Sequence, residues 1–328
     1  MNKAGYRRQM RVQAVIFGLA LLFLNMTLGL AAGAAVTPME KGVYRMRVGD
    51  VKVITLSDGF NQRTIEQQSQ LLHGNRERIE GLLANAYPNG ELQSTVNAFL
   101  IHAGTKLILV DAGNGGLGSS TMGKVIGNLR AAGYEPGQVD EVYITHMHGD
   151  HVGGLLAGTE RAFPNATVYA HKREADYWLS DANRSAAPAA AQRTFQVAKA
   201  TLTPYINAGK FRLFEGNISL SPGIRAEALF GHTPGHVAFL VESKGTAMVL
   251  WGDIVHVAGV QFTDPNVTIA YDSDEPAAAE ARWRILAVAA KNNWWIGGAH
   301  LAFPGIGRVQ AGADGGYVFV PAEAPADE

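Results

Sequence analysis

The stretch THMHGDHVGG (residues 145–154) holds three histidines and an aspartate within six residues, directly after a short apolar run. Polar side chains at this density cannot pack an apolar core, because burying them without partners costs free energy. On extended backbone, His146 and His148 project to the same side and can share one cation, while Asp150 and His151, beyond a glycine, can face a second. The H-x-H-x-D-H spacing therefore predicts a metal site.

Four ligands in one loop cannot complete two metal shells, so the hypothesis requires more histidines or aspartates at other strand ends. Such residues are present, each near a glycine: His232 in GHTPGH, Asp253 in WGD and His300 in GGAH. Because the chain contains no cysteine, any metal must be held by histidine and carboxylate, and thiol nucleophiles and disulfides are excluded.

The N-terminal residues have the pattern of a secretory signal peptide over residues 1–35. Four basic residues precede an apolar run at 12–30, and small residues with an A-x-A site follow. An uncleaved anchor is the alternative, since the run approaches membrane-spanning length. We expect cleavage and a periplasmic or secreted protein without stable membrane association, exported by the general route or, through Arg7-Arg8, by the twin-arginine route.

Composition narrows the classes of function. The full chain has 47% hydrophobic residues and a net charge of −1, which indicates a globular protein. Removing the signal peptide leaves 24 basic against 29 acidic residues, a net charge of −5. A mildly acidic protein is a poor partner for nucleic acid.

The remaining residues predict one α/β domain over 36–320, with a disordered tail over 321–328. Strands early and late, each set followed by helices, indicate two sheets packed face to face with helices outside. Predicted strands lie at 51–56, 95–101, 106–110, 141–145, 166–170, 226–230, 238–242 and 247–251. Predicted helices lie at 122–133, 189–205 and 277–291.

The series THMHGDH, GHTPGH, WGD and GAH, in this order, resembles the metallo-β-lactamase-fold hydrolases over about residues 43–320. The stretches EADYWLS, VQFTDPNVT, YDSD and HLAFPGIG are most similar to the subfamily of methyl parathion hydrolase and related lactone and aryl-ester hydrolases. The resemblance implies an αββα sandwich, a homodimer and two divalent metal ions, with zinc the usual metal. It assigns His146, His148 and His232 to one metal, Asp150, His151 and His300 to the other, and Asp253 as the bridge.

The resemblance also suggests roles around the metals. Asp111 is similar to a buried aspartate that supports a metal-binding histidine, although a turn aspartate at a strand end is the alternative. His236 is expected to support the site from outside the ligand set. The other histidines, at 73, 102 and 171, match no ligand position. Four residues are expected to line the substrate pocket, with ordinary core packing as the alternative: Trp178, His256, Phe262 and Tyr271.

Two cations about 3.5–4 Å apart can share a water and bring its pKa near neutrality, so the expected nucleophile is a bridging hydroxide. Asp150 and Asp253 are the expected catalytic carboxylates: the first as a ligand that also passes a proton to the leaving alkoxide, as the related lactonases suggest, and the second fixing the metal separation.

The methyl parathion hydrolase pattern has a leucine near position 256, a phenylalanine near 118 and an aromatic residue near 194, whereas this chain has His256, Gly118 and Thr194. We therefore expect hydrolysis of lactones or aryl esters, with organophosphate triesters as side substrates. The alternatives are organophosphate hydrolysis as the main activity and a mononuclear iron dioxygenase that oxidises persulfides.

Overall fold

The computed structural model describes residues 42–323, in which two mixed sheets face each other. In order across the first sheet, the strands are β1 (Val43–Val48), β2 (Val51–Thr64), β4 (Glu91–Ala103), β5 (Lys106–Val110), β6 (Glu141–Tyr143), β9 (Thr167–His171) and β10 (Phe211–Phe214). Across the second they are β11 (Ser219–Ser221), β12 (Ile224–Ala228), β13 (Val237–Ser243), β14 (Thr246–Leu250), β16 (Trp295–Gly297), β17 (Ile306–Ala311) and β18 (Tyr317–Pro321).

Helices and two short strand pairs complete the described fold. The helices are α1 (Ile65–Leu71), α2 (Arg76–Ala86), α3 (Val125–Ala131), α4 (Gly149–Val152), α5 (Lys172–Trp178), α6 (Asp181–Ala186), α7 (Ala189–Asn207), α8 (Ala258–Gln261) and α9 (Glu275–Lys291). The short pairs join β3 (Leu72–His73) to β15 (Thr268–Ile269) and β7 (Leu156–Ala157) to β8 (Glu160–Arg161). Within residues 42–323, no helix has the length and apolar content needed to cross a bilayer.

The alternation of apolar side chains along the strands explains the layers. In β13, Phe239 points into the cluster between the two sheets, whereas its neighbour Leu240 points outward and packs with Leu286 of α9. In β4, Phe99 points inward and Leu100 outward, into the cluster that includes residues of α3 and α7. These two central strands are thus covered on both faces. The predicted αββα sandwich is confirmed.

The ends of the chain differ in how far the structure describes them. The predicted signal peptide over 1–35 lies outside the described residues. The first two residues of the predicted tail are structured, because Pro321 is the last residue of β18 and the backbone N–H of Ala322 donates to the carbonyl of Ile306. Residues 324–328 lie outside the described part of the chain.

Candidate metal centre

Four loops bring the seven predicted ligands together. His146, His148, Asp150 and His151 follow β6 of the first sheet. The remaining three come from the second sheet, with His232 after β12, Asp253 after β14 and His300 after β16. Asp150 and His151 lie in the short helix α4, and the other ligands lie in loops that follow strands, so both sheets contribute to one centre.

The first group consists of His146, His148, His232 and Asp253, whose ligand atoms all lie within 4.8 Å of one another. His232 Nε2 is 3.2 Å from His146 Nε2 and 3.1 Å from His148 Nδ1. Asp253 Oδ2 is 3.2 Å from His232 Nε2. Three imidazoles and one carboxylate are a donor set that suits a divalent cation such as zinc.

The second group consists of Asp150, His151 and His300, again within 4.8 Å. Asp150 Oδ2 lies 3.5 Å from His300 Nε2 and 3.7 Å from His151 Nε2. Asp253 touches this group as well, since its Oδ1 is 3.1 Å from His151 Nε2 and its Oδ2 is 3.1 Å from His300 Nε2. Asp253 therefore lies between the two groups, where a bridging ligand must be.

Unpartnered atoms support a cation at this place. His151 Nε2 and Asp253 Oδ1 are buried, yet neither makes a hydrogen bond within residues 42–323. Leaving such atoms without partners costs about 1–3 kcal/mol each, more for a charged group. A metal ion between them would satisfy both, so the residues present fit two divalent ions.

Burial and neighbouring charge favour the same conclusion. Burial, followed by the charge of His151, holds the pKa of His146 well below its usual value, and burial lowers the pKa of His148 to about 3. Neutral imidazoles keep a lone pair free for a cation. Burial would raise the pKa of Asp253, but His151 and His300 outweigh it and hold that pKa well below its usual value. The centre thus combines two neutral imidazoles, those of His146 and His148, with a charged carboxylate.

Asp111 and His236 support the ligands from behind. Asp111 Oδ2 accepts from His151 Nδ1 at 2.8 Å, and its Oδ1 accepts from the backbone N–H of Thr145 at 2.8 Å. His236 Nδ1 donates to the carbonyl of Leu229, which leaves Nε2 to accept from the backbone N–H of Asp253 at 3.1 Å. Both residues therefore orient ligands without belonging to either group.

The sequence analysis missed two further carboxylates. Glu174 of α5 is fully buried; its Oε2 accepts from the backbone N–H of Met147 at 2.9 Å and its Oε1 from that of Gly235 at 2.7 Å. This one side chain joins the loop of His146 and His148 to the loop of His232. The second is Asp272, whose Oδ1 accepts from His232 Nδ1 at 2.8 Å. The only signals were acids inside the EADYWLS and YDSD stretches, which by themselves carry no spacing pattern.

A cavity of about 790 Å³ opens beside the two groups and is lined by His148, Asp150, Asp253 and His300. Three of the four predicted pocket residues, Trp178, His256 and Tyr271, also line it. The Trp178 ring centroid lies 5.4 Å from that of His148. The ring of His256 stacks on His300 at 4.9 Å, and its Nε2 lies 3.2 Å from Asp253 Oδ2. Asp253, His256 and His300 also have ligand atoms within 4.8 Å of one another.

The prediction that Phe262 lines the pocket is wrong. Phe262 is 2% exposed and does not line the cavity; it packs in the apolar cluster between the second sheet and α9. Its ring stacks on Phe319 at 5.3 Å and lies 6.0 Å from Trp251. Its position in VQFTDPNVT did not indicate whether the Phe262 side chain lines the pocket or packs in the core.

The three histidines without ligand positions lie outside both groups. His73 is exposed and pairs with Glu275, and His102 bonds to the hydroxyl of Tyr134. His171 is buried and accepts from the backbone N–H of Arg173.

The model of the family described as the metallo-beta-lactamase superfamily matches residues 93–300, which include all seven ligand positions. The chain belongs to the metallo-beta-lactamase superfamily. A solved superfamily member, the hydrolase AbOPH, is 34% identical with a TM-score of 0.81, over 87% of this chain and 99% of that one. The structure of AidC, a dizinc quorum-quenching lactonase in complex with the product N-hexnoyl-L-homoserine, shares the fold at 22% identity, with a TM-score of 0.77 over 86% of this chain and 98% of that one.

The curated relatives match a smaller share of this chain. An N-acyl homoserine lactonase from Bacillus sp is 28% identical over 39% of this chain and 42% of the relative. Another, from Bacillus cereus, is 24% identical over 46% of this chain and 52% of the relative. The chain spans about half the length of the curated relatives it matches.

Proposed function

We propose that this protein is a dinuclear-metal hydrolase of ester bonds that opens lactones and cleaves aryl esters, with organophosphate triesters as side substrates. The observation that carries the proposal is the position of Asp253, within 3.2 Å of histidines from both ligand groups at the wall of a substrate-sized cavity. The lactonases among the relatives favour the same class of substrate.

The two groups indicate which residues would hold each metal ion. His146, His148 and His232 would hold one divalent ion, Asp150, His151 and His300 the other, and Asp253 would contact both, with zinc the metal that this donor set favours. Two such ions would lower the pKa of a shared water toward neutrality and polarise an ester carbonyl.

Asp150 is suited to move the proton. Its side chain is 29% exposed and lines the cavity, whereas that of Asp253 is 3% exposed. A carboxylate that faces the cavity can take a proton and pass it to the departing alkoxide. Asp253, with no comparable exposure, serves to hold the two groups at a fixed separation.

His256 is suited to orient the substrate. The ring lies at the cavity beside His300, with Nε2 3.2 Å from Asp253 Oδ2, while Nδ1 makes no hydrogen bond within residues 42–323. A neutral imidazole offers one N–H, which can donate to a lactone oxygen. The rings of Trp178 and Tyr271 then supply apolar surface for the acyl or aryl part of the substrate.

Steady-state rates on a δ-lactone, an aryl acetate and a dialkyl nitrophenyl phosphate, with metal content measured on the same sample, test the proposal. We expect about two zinc-like ions per chain and fastest turnover of the lactone or the aryl ester. Fastest turnover of the triester would make organophosphate hydrolysis the main activity. One iron per chain with persulfide oxidation would replace the hydrolase by the dioxygenase.

Export and assembly belong to the same proposal. We propose that residues 1–35 are cleaved on export to the periplasm or outside the cell, which N-terminal sequencing of the fractionated protein would test. We also propose a homodimer, which light scattering would test.

A further inference from the structure

The turn that carries His232 is fastened to the segment just before α9 by three hydrogen bonds. His232 Nδ1 donates to Asp272 Oδ1 at 2.8 Å. The backbone N–H of Ser273 donates to the carbonyl of His232, and that of Asp274 donates to the carbonyl of Gly231, each at 2.9 Å. Asp272 therefore holds the ring of this ligand, and the next two residues hold the backbone of its turn.

Asp272 is itself held rigidly. Its side chain is fully buried, and Oδ2 accepts from the backbone N–H of Ile269 at 3.1 Å. Arg282 of α9 places a guanidinium nitrogen 3.8 Å from the same oxygen. The Arg282 side chain is 1% exposed and donates to three backbone carbonyls, those of Ile254, Pro265 and Val267. These contacts hold the carboxylate in one position.

The position of Asp272 decides how His232 can bind a cation. Because Nδ1 carries the proton given to Asp272, Nε2 is left with a lone pair that faces His146 Nε2 and His148 Nδ1. A carboxylate behind a ligating histidine fixes the tautomer and the ring orientation and raises the basicity of the ring. Asp111 stands in the same relation to His151 in the second group.

We propose that Asp272, held by Arg282, is a positioning residue that sets the affinity of the site formed by His146, His148 and His232. The inference rests on the dinuclear centre of the proposed function but is independent of its substrate. The chemistry it concerns is the capture of one divalent cation, so it can be measured without any turnover.

The test is a zinc titration of the metal-free full chain against a chromophoric chelator, with Asp272→Asn and Asp272→Ala. We expect one of the two zinc equivalents to bind about 10–100-fold more weakly in each variant, since lost support of a ligating histidine has this effect. The other equivalent is expected to stay within about twofold of wild type. Glu275→Gln is the matched control, because Glu275 lies three residues away and bonds to His73 and Thr268, which are not ligands.

Two further readouts separate positioning from general damage. Cobalt(II) substitution should change the visible spectrum of one site only in Asp272→Asn, and excess zinc should restore lactone turnover by that variant. Asp272→Asn keeps the volume of the side chain, so it decides the matter if Asp272→Ala fails to fold. Two zinc equivalents of wild-type affinity in Asp272→Asn would overturn the inference alone. Fewer than two equivalents in the wild type would overturn the dinuclear centre and the inference with it.

Discussion

His146 Nε2 and His232 Nε2 face each other across 3.2 Å, although they come from loops of opposite sheets. Burial would lower the pKa of His232, but hydrogen bonds to Asp253 and Asp272 outweigh it and raise that pKa to about 9. In the metal-free protein a proton on His232 can therefore lie between the two nitrogens. A cation bound at this place must displace that proton, so metal capture is expected to weaken as the pH falls.

Removing metal is expected to lower the stability of the protein. A ligand at about 100 times its Kd adds about 2.7 kcal/mol for each site that only the folded state possesses. Thermal unfolding of the purified protein with zinc and with EDTA measures the difference, and the zinc-loaded sample should unfold at the higher temperature. An equal Tm in both samples would contradict metal binding at either group.

Asp253→Ala is expected to reduce the rate constant by several orders of magnitude and to weaken both metal sites, because this carboxylate reaches both groups. His148→Ala should lower the rate similarly but weaken one site only, since His148 belongs to the first group. Circular dichroism should show an intact fold in both variants. An unchanged rate in either variant would remove the proposed reaction.

Glu174→Gln is expected to destabilise the fold and weaken the His146, His148 and His232 site. Glutamine has a single carbonyl oxygen, so one of the two backbone N–H groups that Glu174 serves would meet an amide donor. A buried donor left without an acceptor costs about 1–3 kcal/mol. Chemical unfolding with zinc titration measures both effects.

Asp176→Asn is the matched control, because Asp176 lies two residues away on the same helix and forms an exposed pair with Lys172. Such pairs contribute about 0–1 kcal/mol. If Glu174→Gln proves no more costly than Asp176→Asn, Glu174 does not join the two loops in the way the distances indicate.

His256→Leu is expected to shift the preference from lactone toward triester. The substitution removes a ring N–H that can donate to a lactone oxygen and adds apolar surface at the cavity. The loss of one hydrogen bond of about 1 kcal/mol changes kcat/KM for the lactone by roughly fivefold. Zinc content should stay at the wild-type value; an unchanged ratio of the two kcat/KM values would argue against contact between His256 and the substrate.

Phe262→Ala and Trp178→Ala should differ in their effect on KM. Truncating a buried phenylalanine costs about 3–5 kcal/mol, and because Phe262 does not line the cavity, KM should not change in the fraction that remains folded. Trp178 lines the cavity and also packs in the core, where it is 6% exposed, so Trp178→Ala should raise KM for aryl esters as well as lower stability. Equal changes in KM for the two variants would mean that Trp178 contacts the substrate no more than Phe262 does.

The ligands could be predicted from the sequence because their spacing is local and chemically unusual. His146, His148, Asp150 and His151 fit in one turn, and the glycines near His232, Asp253 and His300 marked the other loops. The sheet pattern followed from period-two alternation, although boundaries shifted: β2 runs to Thr64, beyond the predicted end at residue 56.

The supporting carboxylates could not be found in this way. Glu174 bonds to partners that are 27 and 61 residues away along the chain, and Asp272 bonds to His232, which is 40 residues away. Only the folded chain brings these residues together. A lone acid in a helix or turn is usually solvated, so its type gives no indication of burial. The helices α1 and α2 were missed because their polar faces leave few apolar positions to reveal a period.

The ligands from the first sheet come early in the chain, and those from the second sheet come late. Residues up to 151 supply only part of each group. Asp253 completes the first group, and His300 completes the second. A growing polypeptide that has not yet reached His300 can therefore hold one cation in a complete shell at most. Completion of the second site therefore requires almost the whole domain, whereas every ligand of the first group is present once Asp253 has been synthesised.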